Sequence, residues 1–238
     1  MAATSETLPH LFDVVRARYP ESLGPERWYL IAASALITNS DPSNLGQLWV
    51  YLINQPEYKS LEKRKTLNTR LREFLLKQWI TIGVPKVAVA LFSLIKEEQT
   101  GDADLNFTKQ STALTPANRA QGERYLAHLY TQEQMTTMWT SWGQNFEWLT
   151  KDVVYGMFWG DHTVLDTVDT QLINYTAIVS QGLEVTVRTH LKGLSNMGLN
   201  VEEIEGVTKC GEIIAKWAGV DTAGWPDVKG IAADFEKK

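Results

Sequence analysis

"RLREFLLKQWITIGVPKVAVALFSLIKEE", residues 70–98, holds two apolar-periodic runs joined by Gly-Val-Pro. Leu71, Phe74, Leu75, Trp79 and Ile82 recur at three- and four-residue spacing, which puts them on one face of a helix. Gly83 can leave that helix in a left-handed conformation, and Pro85 suits the first turn of the next, where a missing amide hydrogen costs nothing. A helix hairpin is predicted. The same period runs through nearly every long segment and almost none alternates at period two, so the chain is read as all-α.

Working outward, Pro20, Gly24 and Pro25 precede a helix expected from about Glu26 to Thr38, which "NSDPSN" (39–44) interrupts before "LGQLWVYLIN" resumes the pattern. Polar "EEQTGDADLNFTKQSTAL" (97–114) is a long surface loop that splits the chain, and Thr115-Pro116 caps and opens the next helix. Thr131-x-x-Gln134 and Asn200-x-x-Glu203 have the form of capping boxes and fix two more helix starts. Val164, Leu165, Val168, Leu172, Tyr175 and Val179 form one apolar stripe. Leu183, Val187, Leu191 and Leu194 form another, with His190 among them and Gly198 at its end. In the last long helix Ile204, Val207, Cys210, Ile214 and Trp217 make the buried side, and Gly219 terminates it.

The 238 residues can bury a sizeable core as one domain, with a first helical half over 1–100 and a second over 115–238. "WYLIAASALI…LGQLWVYLIN…LREFLLKQWITIGVP" is faintly echoed by "QLINYTAIVS…VRTHLKGLSN…CGEIIAKWAGV". That order suggests two similar halves packed together.

Net charge −5 leaves no basic footprint for nucleic acid or anionic lipid, and the densest basic run, Lys59 to Arg72, reads as a solvated helix face. No stretch is apolar enough to span a membrane, and the opening "MAATSETLPHLF" lacks the pattern of a secretory signal. A single cysteine fits a reducing compartment. The expected location is intracellular, in the cytoplasm.

The run "DTQLINYTAIVSQGLEVTVRTHLKGLSNMGLNVEEIEGVTKCGEIIAKWAG", about a fifth of the chain, resembles the carboxymuconolactone decarboxylase and alkylhydroperoxidase D-like family, over a motif region of 164–219. That family's pattern is an acid-led apolar helix, a helix carrying His, then a segment like Leu194 to Ile204. "VVYGMFWGDHTVLDTVDTQL" (153–172) resembles the lead-in of a longer, largely fungal branch, and residues 71–91 resemble its first half. The resemblance implies an alkylhydroperoxidase D-like helical bundle that assembles as a homo-oligomer, for which nine tryptophans supply surface.

Departures from the family narrow the chemistry. The peroxidase branch carries Cys-x-x-Cys ahead of the histidine, one thiolate to attack peroxide and one thiol to resolve the product. Here those positions are Leu183 and Thr186, and the proton-relaying glutamate falls on Gln171. Cys210 reads as a small buried hydrophobe. Thiol peroxidase activity is therefore not expected. The decarboxylase branch needs no cysteine, and protonating a carbanion or enolate calls for an acid near ambient pH, which His190 would supply.

"MTTMWTSWGQNFEWLTKDVVYGMFWGDH" (135–162) concentrates aromatic residues. Trp139, Trp142 and Phe146 at helical spacing read as core or oligomer interface; alternatively the segment walls a hydrophobic pocket. In the second case Tyr155, Trp159, Asp161, His162, Asp169 and Gln171 would bind a flat substrate. His128, His162 and His190 lack metal-ligand spacing, so no metal is expected, and without GxGxxG, GxSxG or a phosphate loop no cofactor is expected. The leading reading is a cofactor-independent lyase or isomerase acting on a hydrophobic carbonyl or phenolic compound, His190 being general acid/base. The alternative is a catalytically silent binding or assembly protein.

Overall fold

The computed structural model describes residues 7–109 and 113–236; the readings of residues 1–6 and 110–112 lie outside the described residues. The chain is all-helical. Its α-helices are α1 (Leu8–Arg18), α2 (Trp28–Asn39), α3 (Asn44–Ile53), α4 (Leu61–Thr81), α5 (Val84–Glu97), α6 (Pro116–Leu129), α7 (Gln132–Trp142), α8 (Gln144–Trp148), α9 (Thr167–Ser180), α10 (Glu184–Asn196), α11 (Val201–Trp217) and α12 (Val228–Glu236). A π-helical segment, Leu149–Trp159, continues from α8.

Two helices are buried on every side. Trp28 to Ile37 of α2 and Asp169 to Val179 of α9 are buried without a break. An all-round apolar helix must be enclosed, and "WYLIAASALI" satisfies that rule directly. Helix α9 satisfies it with polar residues as well, each of which needs a partner. The two pack against each other, where the Ser34 hydroxyl donates to the Ile173 carbonyl at 2.9 Å. Around them α1, α4 and α11 complete a core reaching from Leu11 to Ile231.

Helix boundaries follow the punctuation in the sequence. Thr115, Thr131 and Asn200 each accept from the third amide of their helix, and all three close capping boxes. Gly83 lies at φ +99°, which only glycine adopts without strain, and turns α4 into α5.

On α4 the buried face differs from the expected one. Leu71, Phe74 and Leu75 are buried, but Trp79 is 39% exposed and Ile82 only partly covered, while Glu73, Lys77 and Gln78 are enclosed. Helix α4 meets α9 and the π-segment as well as α5, and across that contact Gln78 Nε2 donates to Asn174 Oδ1 and Lys77 Nζ to backbone carbonyls. Apolar spacing cannot register such a face. Similarly, Leu183 is exposed at the mouth of α10, and Trp142, Phe146 and Trp148 are exposed, leaving the aromatic run only partly in the interior.

A second, smaller core gathers Tyr125, Leu126, Leu129, Met135, Tyr155 and Trp159. It forms where α6 crosses the π-segment at backbone distance. A Cβ on Gly122 would strike the Lys151 carbonyl, and one on Gly156 would meet the Asn118 carbonyl at 2.7 Å. The two glycines permit this crossing.

Candidate functional site

His190 lies on α10, 2% exposed, and its protonation can be deduced from its partners. The Gln171 amide Nε2 donates to the His190 carbonyl at 2.9 Å and stands 3.2 Å from His190 Nδ1. A carbonyl only accepts, so the nitrogen end of the amide faces His190. Nδ1 therefore accepts too, and the imidazole proton sits on Nε2. On the other side Gln171 Oε1 accepts from the Tyr125 hydroxyl at 2.9 Å. Gly193, one turn beyond His190, leaves room for this amide, because a Cβ there would lie 2.9 Å from Gln171 Nε2.

Burial lowers the His190 pKa from 6.5 to about 4, since a charged ring there would lose its hydration without gaining a counter-ion. At neutral pH the ring is uncharged. Trp159 stands edge-on to it at 6.4 Å, Tyr155 stacks edge-on to Trp159 at 4.7 Å, and Tyr125 tilts against Tyr155 at 5.4 Å. Burial also raises the Tyr125 and Tyr155 phenols above their usual range. His190, Gln171, Tyr155 and Trp159 thus come together, in a closed and neutral cluster.

Tyr125 also lines an open cleft of about 470 Å³ with Gln121, Arg124, His128, His162 and Thr167. The His162 ring lies 6.3 Å from the Tyr125 ring, and Thr167 Oγ1 is 3.3 Å from each of its nitrogens. Partial burial, reinforced by the Lys77 charge, lowers the His162 pKa below 6.5, against the pull of Asp166 and Asp161. Among the described residues no carboxylate lines the cleft, whereas Arg124 does. An uncharged imidazole and a guanidinium lining one cleft can together hold an anion and accept or deliver a proton.

The remaining expected site residues are engaged elsewhere. Asp169 pairs with Arg27 at 2.8 Å and Arg70 at 3.1 Å, tying the start of α9 to α2 and α4. Asp161 is buried; its Oδ1 accepts from the Thr163 amide at 3.0 Å, and its carbonyl accepts from Lys77 Nζ at 2.7 Å. Cys210 is buried, and burial pushes its thiol up to about 12, far from thiolate chemistry at neutral pH. Among the described residues no three His, Cys, Asp or Glu side chains gather as a metal site requires, and no helix is long and apolar enough to cross a membrane.

Arg124 and Lys77 were missed in the sequence, and His128 was weighed only as a metal ligand. Arg124-x-x-x-His128 is a same-face spacing on α6 that could have been noticed. Glu73 and Lys77, four apart within an apolar run, could have signalled a buried ionic pair.

No family model matches the chain, and no solved structure matches it. A stretch of 67 residues is 33% identical to Peroxisomal protein 2 of Saccharomyces cerevisiae, over 28% of this chain and 24% of that protein. The likeness thus takes in about a quarter of the yeast protein's length.

Proposed function

We propose that the protein is a cofactor-independent lyase or isomerase that acts by general acid–base catalysis on a small carbonyl or phenolic compound bearing an anionic group. The observation that carries this reading is that His162 and Arg124 line the same cleft, which no carboxylate lines among the described residues. Arg124 would hold the substrate's carboxylate, and uncharged His162 would take the proton next to the carbonyl and return it. The resemblance to carboxymuconolactone decarboxylases supports the reaction class. His190, which that resemblance would make catalytic, serves with Gln171 and Tyr125 as the rigid back wall.

The test is a screen of small carbonyl and phenolic acids followed by two variants. His162→Gln should abolish turnover, and Arg124→Ala should raise KM while leaving kcat within a few fold. Full turnover in His162→Gln would refute the assignment.

A second reading, a catalytically silent binding protein that acts in an assembly, draws support from the burial of His190. A compound that binds the cleft and is recovered unchanged under all conditions would favour it. The single cysteine supports a location inside the cell. A fluorescent fusion scored against cytosolic and peroxisomal markers tests the compartment, the second marker being prompted by the name of the yeast relative.

A further inference from the structure

Lys77 is fully enclosed, and its charged end must be satisfied inside the protein. Its three ammonium hydrogens meet three backbone carbonyls: Phe158 at 2.8 Å, Trp159 at 3.3 Å and Asp161 at 2.7 Å. These carbonyls lie at the end of the π-segment, whose last backbone bond runs from the Gly160 amide to Tyr155. A helix end leaves its final carbonyls without partners, and a buried cation answers both the hydrogen-bond deficit and the negative end of the dipole. The contact is reciprocal, since Trp159 Nε1 donates to the Lys77 carbonyl at 3.2 Å.

Charge is balanced around it. Glu73 lies 3.6 Å from Lys77 Nζ but is held closer by Lys109 at 2.6 Å, and Lys109 also stands 3.7 Å from the Asp161 carboxylate. Burial lowers the Lys77 pKa to about 8, Glu73 opposing the shift, so the side chain stays cationic over the range in which a histidine titrates. The residue that follows the anchored Asp161 carbonyl is His162.

We infer that Lys77 is the positioning residue of His162: it clamps the turn that presents the imidazole to the cleft and holds a fixed positive charge behind the ring. The inference rests on the reading of His162 as the proton-transfer group, but its test needs no substrate. The other charged or titratable groups facing His162 are Asp161 in its own turn, Asp166 at the start of α9, and Arg124, Tyr125 and His128 across the cleft. Of these, the two carboxylates act against Lys77.

The experiment is an NMR titration of the His162 ring, assigned with His162→Gln, in the wild type, in Lys77→Gln and in Lys77→Arg. Glutamine keeps a donor for the carbonyls but removes the charge, whereas arginine keeps both. His162 should titrate below 6.5 in the wild type, higher in Lys77→Gln, and back toward the wild-type value in Lys77→Arg. Asp161→Asn should shift it the opposite way. A wild-type value at or above 6.5, or one unmoved in Lys77→Gln, overturns the inference. Should Lys77→Gln fail to fold, the wild-type titration and the sign of the Asp161→Asn shift decide. If these results hold while His162→Gln retains full turnover, the positioning role stands and the catalytic reading falls.

Discussion

His190 offers a quantitative test of how this interior is built. Its pKa is lowered from 6.5 to about 4 by burial. Above pH 6.5 the ring is neutral in both folded and unfolded chains, and stability is unaffected. As pH falls below 6.5 the unfolded chain takes up a proton that the folded chain refuses, so stability is lost progressively and levels off once pH passes below about 4. At ~1.4 kcal/mol per pKa unit the loss amounts to about 3 kcal/mol. His190→Asn removes the titration but places an amide oxygen near the former Nδ1, so Gln171 keeps its acceptor. The variant should be less stable at pH 8, because it leaves part of the ring's volume empty. Its deficit should shrink as pH falls. Urea unfolding of both proteins from pH 8 to pH 4 measures this, and taking the difference removes the carboxylates that titrate in both. Parallel stability–pH curves would refute the reasoning, as would a His190 ring resonance titrating near 6.5.

Other consequences follow from the ion pairs and the helix crossing. Asp169→Asn leaves Arg27 and Arg70 without their shared carboxylate, and should cost about 2–3 kcal/mol in urea unfolding without altering any ligand affinity of the cleft; a neutral outcome would show that the pairs are solvated. Gly122→Ala places a Cβ 2.8 Å from the Gly156 amide nitrogen. Backbone cannot yield there as a side chain could, so a destabilisation of about 2 kcal/mol or more is expected, with altered tryptophan fluorescence from the smaller core. An unchanged melting temperature would mean that α6 and the π-segment do not approach so closely.

The helical class was legible because burial of apolar faces imposes a period on the sequence, and caps and glycines mark where each period stops. Thr115, Thr131, Asn200 and Gly83 were each readable in isolation, since a cap or a left-handed turn depends on neighbours within a few residues. Gln171 and His190 could also be singled out, though not what they do together. Their pairing depends on how α9 and α10 are rotated against each other, which leaves the amide nitrogen facing a carbonyl and thereby sets the tautomer.

Where apolar spacing failed, long-range polar pairing had won. Trp79 lies outside while Lys77 lies inside because three carbonyls at and just beyond the end of the π-segment, more than eighty residues away, receive the ammonium. The sequence by itself determined that the chain forms helices, where most of them start and stop, and that Cys210 is an inert core residue. Only the tertiary structure decided that His162, with Arg124, faces an open cleft while His190 is sealed behind Tyr125. Local patterns state which groups must be buried or capped, but accessibility and charge environment are sums over elements that meet only in three dimensions.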